Sequence, residues 1–98
     1  MSNKFWKCYK DNIGVLKIRF PKVFNHENPM ILKVGVHRDL NEKTGISCTA
    51  LRRILACWTS RVEYRKVGAR GGYRVDLDGN PVEEVSEAHV ERFKASLR

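Results

Sequence analysis

Ile46-Ser47-Cys48-Thr49-Ala50-Leu51-Arg52-Arg53-Ile54-Leu55-Ala56-Cys57-Trp58 is the stretch from which the rest of the chain can be read. Leu51, Ile54, Leu55 and Trp58 recur at i, i+3, i+4 and i+7, which lays one apolar stripe along a helix. Ser47 stands where a hydroxyl can accept an orphan N–H of the first turn. Ile46 and Leu51 occupy the two positions of a hydrophobic staple. Arg52 and Arg53 fall off the stripe, toward solvent. An apolar helix face has to be covered, so the segments on either side are read as its cover.

Upstream, Ile13, Leu16 and Phe20 share helical spacing, which predicts a helix over residues 11–20 that Pro21 ends. Val23 and Phe24 then read as an apolar turn packed under it. Asn25-His26-Glu27-Asn28-Pro29 is a loop, and Val36 and Leu40 mark a short helix over 36–43 closed by Thr44-Gly45. Downstream, the period changes. Residues 62–67 are rich in β-formers, 68–72 supply a glycine turn, and 73–77 alternate, which predicts a β-hairpin. Asp78-Gly79-Asn80-Pro81 is a second turn, and 82–85 a short further strand. Ser86 caps a last helix with Val90, Phe93 and Leu97 inward, and Val85 and Val90 repeat the staple. The fold class expected is α+β: helices, a small antiparallel sheet, a closing helix.

The composition agrees with one folded domain. The chain has 98 residues, 42% hydrophobic and 31% charged. Apolar runs are too short for a membrane-spanning helix, and the N-terminal residues lack the apolar segment of a signal peptide. Cys8, Cys48 and Cys57 are an odd count without a CxxC, so a reducing, cytoplasmic compartment is expected rather than a disulfide framework. Net charge is +8, but residues 1–74 hold 16 basic and 5 acidic side chains and residues 75–98 hold 3 and 6. A basic region of that kind points to a polyanion, with a merely solvated basic surface as the competing reading.

Catalytic and metal constellations do not assemble. No spacing brings a cysteine to a histidine as a nucleophile–base pair or as a zinc site. Asp76, Asp78 and Asn80 begin like a calcium loop, but Pro81 occupies the position where such a loop needs glycine. Residues 68–72 lack the GK[ST] ending of a phosphate-binding loop. What stands out is a cluster: Arg61, Arg65, Lys66, Arg70 and Arg74 interleave with Tyr64 and Tyr73 on the expected hairpin, beside Arg52 and Arg53. Cations neutralise phosphates and aromatic faces stack on unpaired bases. Tyr64 in the core with solvated arginines is the plainer alternative. The free N–H groups at the start of the Ser47 helix, with Cys48, Thr49 and Arg52, form a second anion-binding element.

Several stretches together resemble the FinO domain of the ProQ/FinO family of RNA chaperones. They are residues 19–24 (RFPKVF), 32–36 (LKVGV) with Asp39-Leu40, Leu51-Arg52, Trp58-Thr59-Ser60, Tyr64, residues 73–81 (YRVDLDGNP) and His89-Val90-Glu91. The resemblance covers about residues 11–98, leaving 1–10 as an N-terminal extension of a single RNA-binding domain. It implies a compact, mostly helical fold with a small hairpin, no cofactor and no catalysis. It implies RNA as the partner: a stem-loop with a single-stranded 3′ tail, as at intrinsic terminators, in small RNAs and mRNA 3′ ends. Protection of small RNAs and sense–antisense pairing would be the activities. No membrane and no obligate protein partner are implied, and a monomer is expected. By position, Lys33, Arg52, Tyr64 and Arg74 inherit RNA contacts and Ser47-Cys48-Thr49 the RNA backbone, with Tyr64 and Arg74 bordering the 3′-terminal pocket. Cys48 and Glu63 stand where some members carry basic residues, and compensation by Arg53, Arg61 and Arg65 is the expectation. A duplex-DNA regulator using the Ser47 helix in a major groove is the alternative, and a basic module for an acidic protein partner a third.

Overall fold

The computed structural model describes residues 3–98. Its elements run α1 (Asn3–Arg19), α2 (Val36–Thr44), α3 (Cys48–Thr59), α4 (Val62–Ala69), β1 (Tyr73–Val75), β2 (Pro81–Glu84) and α5 (Glu87–Ser96). The architecture is the α+β one expected, mostly helical, with its hairpin between the central helices and the last one.

The helix read from 46–58 is α3, and it organises the core. Ser47 Oγ accepts from the N–H of Ala50 at 3.2 Å, so the cap is in place. Leu51, Ile54 and Trp58 are fully buried, with Leu55 at the core's margin. α1 and α2 cover this face, and Phe24 packs its ring 5.2 Å from that of Trp58. α2 ends at Gly45, whose φ of 75° lets its N–H turn back to the carbonyl of Asn41.

Three local expectations are corrected. The first helix begins at Asn3, not at residue 11, and Tyr9 is part of the core with Phe5 and Cys8 packed against it. Residues 62–67 are helix α4, not a strand. Val62 and Tyr64 would share a face in a strand, yet Val62 is 44% exposed and Tyr64 only 3%. The pattern that wins is helical: Tyr64 and Gly68, four residues apart, both face Phe93 of α5, while Val67 packs on the core. Gly68 is what permits the contact, because a Cβ there would lie 2.4 Å from the ring of Phe93. Lastly, Leu97 is 37% exposed rather than inward, while Val90 and Phe93 do pack on the core.

The hairpin therefore forms one element later than expected, from β1 and β2 with Tyr73 opposite Glu84 and Arg74 opposite Glu83. Its turn is held by Asp76, whose carboxylate accepts from the N–H groups of Asp78 and Asn80 at 2.9 and 3.0 Å. On its other side, β1 pairs with the extended segment at Leu32: Val75 donates to the Ile31 carbonyl and Lys33 to that of Val75. This tie places Arg74 beside the carbonyl of Leu32.

Candidate nucleic-acid interface

Between α4, β1 and α5 lies an open cleft of about 390 Å³, lined by Thr59, Tyr64, Arg65, Arg74, His89, Arg92, Phe93 and Ser96. Three arginines and a histidine face it, and among the described residues no carboxylate does. Uncompensated guanidinium groups around one concavity make a site for an anion.

Each side chain is held by a stated contact. Arg74 donates to the Leu32 carbonyl at 3.0 Å through one guanidinium nitrogen and to His89 Nδ1 at 3.0 Å through the other. An arginine only donates, so in this hydrogen bond Nδ1 of His89 is the acceptor. His89 is placed by the first turn of α5, where its N–H is capped by Ser86 Oγ at 3.2 Å. Arg65 donates to the Ser96 carbonyl at 2.7 Å, while its Nε is buried with no partner among the described residues. Tyr64 forms the floor. Its hydroxyl accepts the N–H of Leu32 at 3.1 Å, and its ring lies 6.1 Å from that of Phe93. Burial pushes the Tyr64 phenol's pKa up, opposed by the Leu32 hydrogen bond and by the Arg74 charge.

The expected site residues separate into groups. Tyr64, Arg65 and Arg74 come together in the cleft, although Tyr64 reaches it from a helix rather than from a strand beside Arg74. Cys48, Arg52, Leu55 and Thr59 fall at spacings of four, three and four along α3, so they share one helix edge. Thr59 lines the cleft, and exposed Arg52 therefore lies on the same edge about 10 Å back along the axis. That edge leads to the capped start of α3 at Ser47, Cys48 and Thr49.

Lys33 does not reach the cleft. Its ammonium pairs with Asp39 at 2.5 Å, which raises its pKa, in a depression shared with Glu42, Asp76 and Asp78. Arg61 is occupied inside the fold: it stacks 4.6 Å over Trp58, donates to the His26 carbonyl at 2.8 Å and pairs with Glu63 at 3.5 Å. Arg53 turns the other way, 5.8 Å over the ring of Phe5 on α1.

Sequence reasoning overlooked Thr59, His89, Arg92, Phe93 and Ser96 as lining residues. A signal existed. His89, Arg92, Phe93 and Ser96 recur at i, i+3, i+4 and i+7 of the helix capped by Ser86, one stripe beside the apolar one. The net acidic charge of residues 75–98 hides it.

The chain is similar to proteins of one known family. The sequence profile of the ProQ/FINO family matches residues 6–98. The RNA chaperone ProQ of Aliivibrio salmonicida (strain LFI1238) is 43% identical over a 93-residue alignment that covers 90% of this chain and 44% of that protein. The chain thus spans less than half the length of that relative. A FinO-like RNA chaperone from Neisseria meningitidis MC58 superposes with a TM-score of 0.77 at 25% identity, over 96% of this chain and 76% of that one. A ProQ homolog from Legionella pneumophila superposes at 0.69 and 21%, over 97% and 80%, a likeness of fold. With the profile covering nearly the whole sequence, the chain belongs to the ProQ/FINO family.

Proposed function

We propose that this chain is a single RNA-binding domain, an RNA chaperone module that grips structured RNA by a free 3′ end. The observation that carries the reading is the convergence of Arg65, Arg74, Arg92 and His89 on a cleft without a carboxylate. Phosphates and ribose hydroxyls are the ligands such donors suit, and an open cleft beside Tyr64 and Phe93 accommodates a terminal nucleotide better than a duplex. A stem would then continue along the α3 edge past Arg52 to the helix start at Ser47-Cys48-Thr49. The relatives named RNA chaperones support the same class.

On this reading, the ligand is a terminator-type stem-loop with a 3′ tail, the work is protection of small RNAs and sense–antisense pairing in the cytoplasm, and the protein acts as a monomer. No bond is broken, so neither a cofactor nor a catalytic group is needed. The test is a titration with a tailed stem-loop, the same stem-loop lacking its tail, and the tailed form ending in a 3′ phosphate, each with duplex DNA as competitor at near-physiological salt. The tailed RNA with a free hydroxyl should bind best and resist the DNA. Equal binding of all three, or displacement by DNA, would overturn the reading.

A further inference from the structure

A second groove, away from the cleft, runs between the opening turns of α1 and the solvent side of α3. It has a volume of about 380 Å³ and is lined by Lys4, Lys7, Cys8, Asp11, Asn12 and Arg53. Three cations face one carboxylate. Among the described residues, no ion pair engages Lys4, Lys7 or Arg53, and both lysines are exposed. Lys4, Lys7 and Asp11 stand at i, i+3 and i+7, so one face of α1 carries them. Arg53 is held over the Phe5 ring, which fixes the α3 side of the groove. The walls are built: Cys8 Sγ lies 3.5 Å from the Ala50 carbonyl, and Asn12 donates to the Cys8 carbonyl at 2.9 Å.

The charge placement is costly for folding alone. α1 has no acidic residue in its first turn, where the helix dipole favours one; Lys4 stands there instead, with Lys7 just after it. Around the α3 axis, Arg53 flanks Thr49 and Ala56 on one side and Arg52 flanks them on the other. Cations thus continue from the cleft edge, across the outer face of α3, to α1.

We propose that the α1–α3 groove is a second phosphate track, in which Lys4, Lys7 and Arg53 hold the backbone of the same structured RNA whose end enters the α4–α5 cleft. The inference rests on the reading of the cleft as an RNA site, and it adds a contact that is indifferent to the 3′ end. Point cations on exposed stems suit backbone charge and carry no sequence information.

The test compares the full chain, Lys4→Gln/Lys7→Gln and Arg53→Gln on the tailed and tail-less stem-loops over a range of salt. The lysine pair keeps the Arg53–Phe5 stack, so it reports on charge even if Arg53→Gln loosens the helix packing. Neutralising two phosphate contacts should lower the slope of log affinity against log salt by about 1.8. Both RNAs should weaken by the same factor, leaving the preference for the tail unchanged. An unchanged slope and affinities within twofold would overturn the track, as would loss of tail preference in the lysine variant. Wild-type binding without tail preference would instead sink the 3′-end reading, while the slope would still decide the track. No RNA binding at all, with anionic vesicles or an acidic peptide bound through Lys4 and Lys7, would overturn both.

Discussion

Arg74 on β1 and His89 on α5 are joined by a 3.0 Å hydrogen bond that closes one side of the cleft. The guanidinium is the donor, so the bond exists only while His89 Nδ1 keeps its lone pair. With the Leu32 carbonyl on its other nitrogen, Arg74 is oriented before any ligand arrives. Preorganisation of this kind lowers the cost of ordering a long side chain on binding.

Removing the acceptor should therefore loosen Arg74 without unfolding the chain. His89→Leu is expected to weaken binding of a tailed stem-loop about tenfold, the equivalent of one charge-assisted hydrogen bond of ~1.5 kcal/mol. His89→Gln, whose amide oxygen can accept, should recover part of it. Fluorescence titration of the three proteins checks this, and equal affinities would show that His89 does not position Arg74.

Tyr64 has a structural role as well as a place in the site. It is buried, and its hydroxyl satisfies the Leu32 N–H. Tyr64→Phe leaves that donor unpaired and should cost about 1–3 kcal/mol. Tyr64→Ala should cost about 3–5 kcal/mol by leaving a cavity. Denaturant titration measures both. A loss of RNA binding in Tyr64→Ala is thus evidence about the site only where the variant is still folded.

Gly68 sets the distance between α4 and α5. Alanine is normally the better helix former by about 1 kcal/mol, but here its Cβ would fall 2.4 Å from the Phe93 ring. Gly68→Ala should destabilise by about 1–3 kcal/mol through overpacking. Pairing it with Phe93→Leu should restore part of the loss. A more stable Gly68→Ala would contradict the packing described.

The Asp76 turn gives a pH dependence. Hydrogen bonds from the N–H groups of Asn80 and Asp78, partly offset by desolvation, hold the Asp76 carboxyl below its ordinary pKa. A lowered folded pKa contributes stability above the unfolded value and loses it as pH falls through the folded one. Thermal melts of the wild type should therefore fall off as pH drops below the ordinary carboxylate range. Asp76→Asn should show a shallower decline over that window, and an identical acid limb would exclude the turn as a cause.

Much of this fold is legible in the sequence. Ser47 and Ser86 announced two helix starts, and the stripe through Leu51, Ile54 and Trp58 announced the core, because capping and periodicity are local. Residues 62–69 were not legible for a tertiary reason. Val62 and Tyr64 suggest a period of two, and only the approach of Phe93 to Gly68 reveals the helical face. The cleft was half visible. Arg65 and Arg74 stand out in a basic region, whereas Arg92 and His89 belong to a net acidic one and join them only through the packing of α5. Lys33 and Arg61 looked equally free in sequence, and their partners Asp39 and Trp58 are contacts of the folded chain.

The most direct measurement is the tail preference of Arg74→Ala. Affinities for a stem-loop with and without its single-stranded 3′ tail are compared in wild type and variant, with thermal melts run alongside. The account expects wild type to favour the tailed RNA. It expects the variant to lose about 1–3 kcal/mol on that RNA and little on the tail-less one, so that the preference collapses while the fold persists. A folded Arg74→Ala protein with its tail preference intact would contradict the assignment of the cleft.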